Sequence, residues 1–125
     1  MLKMRPEQIA AFEHRQREKY ETKTVAHLRE IFPTETSEAE GGEEEIRGWI
    51  RAGIERADSF GINRERDVTL FIDLDVGISA EFEKRRDMAW ARDILEDDLP
   101  GTTKIDLIYE LLPRKRSKKR SRRSG

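Results

Sequence analysis

The stretch from Glu43 to Ile78, EEEIRGWIRAGIERADSFGINRERDVTLFIDLDVGI, constrains the fold more than any other. Ile46, Trp49, Ile50, Gly53, Ile54, Ala57 and Phe60 recur at the three-and-four spacing that puts one apolar stripe on a helix. Gly61 follows the last stripe residue, where a left-handed backbone favours glycine, and Ile62 is placed to fold back onto the final turn. Asn63 stands where a new helix needs a side-chain acceptor for its free N–H groups. Val68, Phe71, Ile72 and Val76 then mark a second stripe, with Leu70 and Leu74 beside it. Two helices joined by so short a corner must pack against each other. A strand over Val68–Ile72 is the alternative, since DVTLFIDLD alternates and is rich in β-branched residues. Helix is preferred because a lone strand would leave its backbone groups without partners.

The 125 residues suffice for one domain with a core of its own. With 41% charged and 35% hydrophobic residues, that core must be lean, which suits amphipathic helices better than a sheet buried on both faces. The expected fold is therefore all-α, a compact bundle of about five helices with a disordered basic C-terminal tail. The absence of cysteine removes disulfides, thiolate metal sites and cysteine nucleophiles, and fits a reducing compartment. The N-terminal MLKMRPEQ has no apolar core of a signal peptide, and no run approaches a membrane span, so no membrane insertion is expected.

The net charge of −1 conceals a split. Residues 114–125, RKRSKKRSRRSG, hold eight of the 25 basic residues and no acid, leaving 17 basic against 26 acidic residues, a net of −9, in residues 1–113. The reading is an acidic helical domain over 1–113 and a basic tail over 114–125.

Along the chain, Pro6 suits the first turn of a helix. Ile9, Phe12, Tyr20, His27 or Leu28, and Ile31 mark a long, thinly apolar helix ending near Phe32, because Pro33 pushes its predecessor out of helical geometry. Gln16 and the Thr22–Thr24 stretch interrupt the stripe and leave open a kink or two shorter helices. Residues 34–45, TETSEAEGGEEE, carry six glutamates and no base and read as a flexible loop, whose last acids favour the following helix N-terminus. Gly77, Ile78 and Ser79 break the second stripe, and Phe82 is expected to pin the loop to the core. A further helix is expected from about Glu83 or Asp87 through Leu95, burying Met88, Trp90, Ala91, Ile94 and Leu95. Thr102 or Thr103 is positioned to cap the last helix, Thr103 with Asp106 having capping-box spacing. Ile105, Ile108, Tyr109, Leu111 and Leu112 give that helix its apolar face, and Pro113 closes the domain.

Catalytic chemistry finds little support. His14 and His27 lie more than three helical turns apart and cannot share a metal ion unaided; His27 reads as partly buried packing and His14 as solvent-facing. Asp73 and Asp75 form a DxD pair, but residues two apart on a helix diverge, so an enzyme built on His27, Asp73 and Asp75 runs against the geometry. The glycines match no phosphate-binding motif; Gly48 and Gly53, each costing about 1 kcal/mol inside a helix, predict close approach of a neighbouring helix. Trp49 and Trp90 are assigned to core-facing positions. No catalytic, cofactor or metal residue is therefore assigned.

Binding is the better supported class. Glu38, Glu40, Glu43, Glu44 and Glu45, with Asp93, Glu96, Asp97 and Asp98, are candidates for an acidic face that receives a basic protein partner. Arg114, Lys115, Arg116, Lys118, Lys119, Arg120, Arg122 and Arg123 form a candidate polyanion-binding tail, the second reading being a sequence-independent nucleic-acid-associated protein.

Over residues 7–112 the order TVAHLREIFP, EEEIRGWIRAGIERADSFGI, NRERDVTLFIDLDVGISAEF, MAWARDILEDD and TKIDLIYELL resembles small bacterial proteins encoded in type VI secretion neighbourhoods, near spike-tip, lysozyme-like or toxin genes. Leu28, Phe32–Pro33, Ile54, Ala57, Phe60–Gly61–Ile62, Asp67–Val68, Gly77, Phe82, Trp90–Ala91 and Ile94–Leu95 carry the likeness. The resemblance implies no catalytic residues. It implies a cytoplasmic accessory role, as an adaptor, chaperone-like partner or immunity protein for a secreted effector or toxin.

Overall fold

In a computed structural model, which describes the backbone of residues 6–124 and the side chains of residues 15–113, the chain is all-α. The helices are α1 (Pro6–Ile31), the short α2 (Pro33–Ser37), α3 (Gly42–Ser59), α4 (Glu65–Gly77), α5 (Ala89–Glu96) and α6 (Gly101–Ser124), with two single-turn 3₁₀ helices at Phe82–Lys84 and Arg86–Met88 before α5. Among the described residues there is no strand, so Val68–Ile72 is helix and the strand alternative falls. The chain divides into two compact units, Met1–Ala52 and Gly53–Gly125, within the length expected to form one domain, and α3 runs through the division.

In the first unit α1 is one continuous helix. Tyr20, Thr24, Val25 and Leu28 are buried at helical spacing. The threonine that interrupts the stripe sits in the core because its hydroxyl donates to the Tyr20 carbonyl one turn back, at 2.7 Å. The polar group is thereby satisfied without breaking the helix. Ile31, assigned to the apolar stripe, is instead 52% exposed. Pro33 ends α1 and at once starts α2, so residues 34–37, expected as loop, are helical; only residues 38–41 connect to α3. Thr36 is buried there, its hydroxyl donating to the Phe32 carbonyl at 2.8 Å. Ile46 and Ile50 are fully buried, whereas Gly48 is exposed with open space where a side chain would go, so no helix among the described residues approaches it. Trp49 is half-buried.

In the second unit the helix corner is built as the pattern predicts. Gly61 has φ 76°, its N–H donates to Asp58 O at 2.9 Å, and the Ile62 N–H reaches back to Ala57 O at 2.9 Å. That pair of bonds closes the helix end, with Ile62 folded into the core. Gly53 permits the packing of α3 on α4: a Cβ there would lie 2.6 Å from Ile72 Cγ1. Asn63 does not cap α4. Arg64 occupies that position, in extended geometry and with no side-chain bond, and Asn63 lies one residue outside. The first-turn acids Glu65 and Asp67 complement the helix dipole instead.

Val68, Phe71, Ile72 and Leu74 form the buried face of α4. Phe82 is fully buried and meets Phe71 edge-on at 5.2 Å between ring centres, and Phe60 lies 6.2 Å from Phe71. The helix expected from about Glu83 or Asp87 starts at Ala89, close to the later bound, because Phe82, Glu83 and Met88 turn inward from separate 3₁₀ turns. Ala91 and Leu95 are buried on α5; Trp90 and Ile94 are half-buried. Ile105 and Ile108 carry the buried face of α6. Pro113, expected to end the domain, lies inside that helix.

Candidate functional site

The acidic residues assigned to a binding face fall into two groups, Glu38–Glu45 in the first unit and Asp93–Asp98 in the second, and each is considered in its own unit.

In the first unit the six glutamates of residues 35–45 divide by what they touch. Glu43 accepts from Arg47 Nε at 3.1 Å, the i,i+4 pairing of adjacent helical turns, and Glu44 from Arg51 Nη1 at 3.3 Å. Both arginines also converge on Glu21 of α1, a buried carboxylate that accepts from Arg47 Nη1 at 3.3 Å and from Arg51 Nε and Nη2 at 3.2 Å each. Arg47 further donates to the Thr22 hydroxyl at 3.0 Å. This network ties α3 to α1, and Glu43 and Glu44 are engaged in it. Glu45 accepts from the Gly41 N–H at 3.2 Å, leading into α3.

The side chains of Glu35, Glu38 and Glu40 are exposed and make no hydrogen bond or ion pair among the described residues. Glu30, in the last turn of α1, is likewise exposed and unpartnered. Beside it lies Ile31, the one large apolar side chain that stands exposed among the described residues. The α1–α2 corner therefore presents an apolar residue among four unneutralised carboxylates, with Arg29 as the one nearby base in residues 28–40. Sequence reasoning placed the acidic face here but missed Ile31 and Glu30. The signal was the proline after Phe32, which stops α1 just as Ile31 turns away from the buried stripe.

In the second unit, Glu96 accepts from Arg92 Nε at 2.7 Å and Asp97 accepts its neighbour's N–H, from Asp98, at 2.8 Å. Asp93 and Asp98 are exposed carboxylates at the end of α5. Among the described residues no exposed large apolar side chain accompanies them.

The DxD pair does not converge. Asp75 holds Arg56 in a two-point fork, 2.7 Å from Nη1 and 3.0 Å from Nη2, while Glu83 takes Nε at 3.0 Å and also contacts Nη2. The Arg56 guanidinium sits 5.1 Å above the Phe71 ring. Burial works against its charge, but the bonds to Asp75 and Glu83 outweigh that and raise its pKa further. Burial pushes the Asp75 carboxyl above its ordinary value despite Arg56, with Glu83 adding like charge. One guanidinium shared by two enclosed carboxylates accounts for both directions. His27 is half-buried on α1, in the other unit. His14 lies outside the residues whose side chains are described. No three His, Asp or Glu side chains gather into a metal-sized group among the described residues.

Two buried charges, Lys104 and Asp67, and the bond made by the half-buried Tyr109 hydroxyl escaped the sequence reading. Lys104 is 6% exposed and its ammonium donates to Phe60 O at 2.8 Å and Leu95 O at 2.7 Å, carbonyls at the C-terminal ends of α3 and α5 where the helix dipoles are negative. Asp67 is 2% exposed and accepts from the Thr102 hydroxyl at 2.5 Å and Arg66 Nη1 at 2.8 Å. Thr102 is thus drawn to Asp67, and Asp106, expected in a capping box, accepts from Arg66 at 3.1 Å. The Tyr109 hydroxyl donates to Leu70 O at 2.6 Å, and burial, with the charge of Asp73, raises its pKa. Each of these groups has at least one partner within the unit and links separate helices of it.

The tail side chains, Arg114 through Arg123, lie outside the described residues. No helix among the described residues is long and apolar enough to cross a membrane. No family model matches the chain, and no curated protein or solved structure matches it.

Proposed function

We propose that this chain is a non-enzymatic accessory protein that binds another protein through the α1–α2 corner. The observation that carries this reading is the pairing of exposed Ile31 with the unpartnered acids Glu30, Glu35, Glu38 and Glu40. An exposed apolar residue in a segment of unpartnered acids suits a partner with an apolar contact and a basic surface. Glu43 and Glu44 hold Arg47 and Arg51 and act as support for the corner. The resemblance to proteins of secretion neighbourhoods supplies the setting: a cytoplasmic adaptor, chaperone-like or immunity protein whose partner is a basic effector or toxin. Asp93 and Asp98 belong to a second acidic group without an apolar centre and rank below the corner.

The test is affinity capture from nuclease-treated native lysate with the full chain and with its Ile31→Asp variant, each identified by mass spectrometry. A protein held by the parent chain and lost from the variant supports the corner. A protein held equally by both would place the interface elsewhere.

A further inference from the structure

Residues 114–125 hold eight basic residues, three serines and a glycine, with neither an apolar nor an acidic side chain among them. Such a run has nothing to bury, and the rest of the chain carries the opposite net charge. We infer that this run binds the phosphate backbone of duplex nucleic acid, without regard to base sequence.

Charge spacing carries the argument. The backbone of α6 continues to Ser124. At helical rise the nine steps from Arg114 to Arg123 cover about 14 Å, which sets one positive charge per ~1.7 Å of axis. Duplex DNA carries one negative charge per ~1.7 Å of its own axis. The same spacing makes the run self-repelling: Arg114 and Lys118, Lys115 and Lys119, Arg116 and Arg120, Lys118 and Arg122, and Lys119 and Arg123 are all like pairs four residues apart. A dense polyanion removes that repulsion.

Composition then selects among polyanions. Single-strand binders present aromatic rings on which bases stack, and this run has none. An anionic lipid surface attracts basic residues too, but this run has no apolar side chain to enter it and add to that attraction. Lys and Arg on phosphate alone are indifferent to base sequence. The inference is independent of the α1–α2 corner, whose variants should bind duplex as the parent does.

Fluorescence anisotropy of the full chain with a short labelled duplex tests it. The plot of log affinity against log salt should have a slope approaching about −7, for eight phosphate contacts, and two unrelated duplexes should bind equally. In full-length K115Q/K118Q/K119Q/R122Q the slope should relax to about −4. The inference is overturned by no duplex binding at low salt, by a slope the variant leaves unchanged, or by binding to phosphatidylserine vesicles with none to duplex.

Discussion

The two units solve the same electrostatic problem in opposite ways. In the first, one buried acid, Glu21, is shared by two arginines; in the second, one arginine, Arg56, is shared by two acids, Asp75 and Glu83. Counting Glu43 and Glu44 with the first cluster, each set carries one surplus negative charge. The surplus in the first lies on glutamates that are 56% and 78% exposed, where water and salt screen it. In the second it is enclosed, with carboxylates 11% and 6% exposed and an aromatic ring over the cation. Equal charge is thus placed in an outer clip open to screening by salt and an inner cluster largely closed to it. The first unit also keeps unpaired carboxylates beside an exposed isoleucine, whereas the second buries Asp67, Glu83 and Lys104 against partners.

Four measurements break or sharpen that contrast. The largest effect is expected from Arg56→Met, which strands two enclosed carboxylates and should cost about 3–5 kcal/mol by chemical denaturation. A loss no larger than that of a surface substitution would end the claim that the inner cluster matters. Lys104→Met should cost about 1–3 kcal/mol, because the Phe60 and Leu95 carbonyls lose their buried donor while the methylene stem is largely replaced. Glu21→Gln should cost less than either, and its deficit should shrink with added salt, since Arg51 on its far side is 53% exposed. A salt-independent deficit would make the two clusters alike.

The smallest effect concerns pH. Asp75 has a folded-state pKa raised above its ordinary 3.8, first by burial. The folded protein therefore binds this proton more tightly than the unfolded chain does. The contribution is fully present below 3.8 and is lost as pH rises through the raised value. Thermal unfolding of the parent minus that of Asp75→Asn should show a stability difference that grows in the parent's favour as the solution is acidified through that window. The opposite trend would mean that Arg56 governs Asp75 more strongly than burial does.

Much of the fold was legible because apolar stripes and helix punctuation are local signals. Ile46, Ile50 and Ala57, the Gly61–Ile62 turn and the anchor Phe82 all stand where spacing put them. Asn63 failed as a cap because α4 begins a residue later, and Gly48 failed as a contact because the close approach occurs at Gly53 alone of the two. The polar core was illegible for a different reason: periodicity assigns charged residues to solvent. Yet Arg56 lies three residues from Gly53, Asp75 four from Phe71, and Lys104 four from Ile108, each beside a buried stripe. Charges of opposite sign flanking stripes on different helices were the available clue. The corner was half visible: its acids showed in composition and Pro33 marked the end of α1, but three-and-four spacing put Ile31 on the buried stripe, whereas in the last turn it stands exposed.

The most direct test of the corner is the association rate of its captured partner with the full chain and with Glu35→Lys/Glu38→Lys/Glu40→Lys, measured from low to physiological salt. Steering by unpartnered carboxylates predicts a fall of about tenfold or more at low salt and a flattened salt dependence in the variant. An unchanged rate and an unchanged salt slope would contradict the account and remove the α1–α2 corner from the interface.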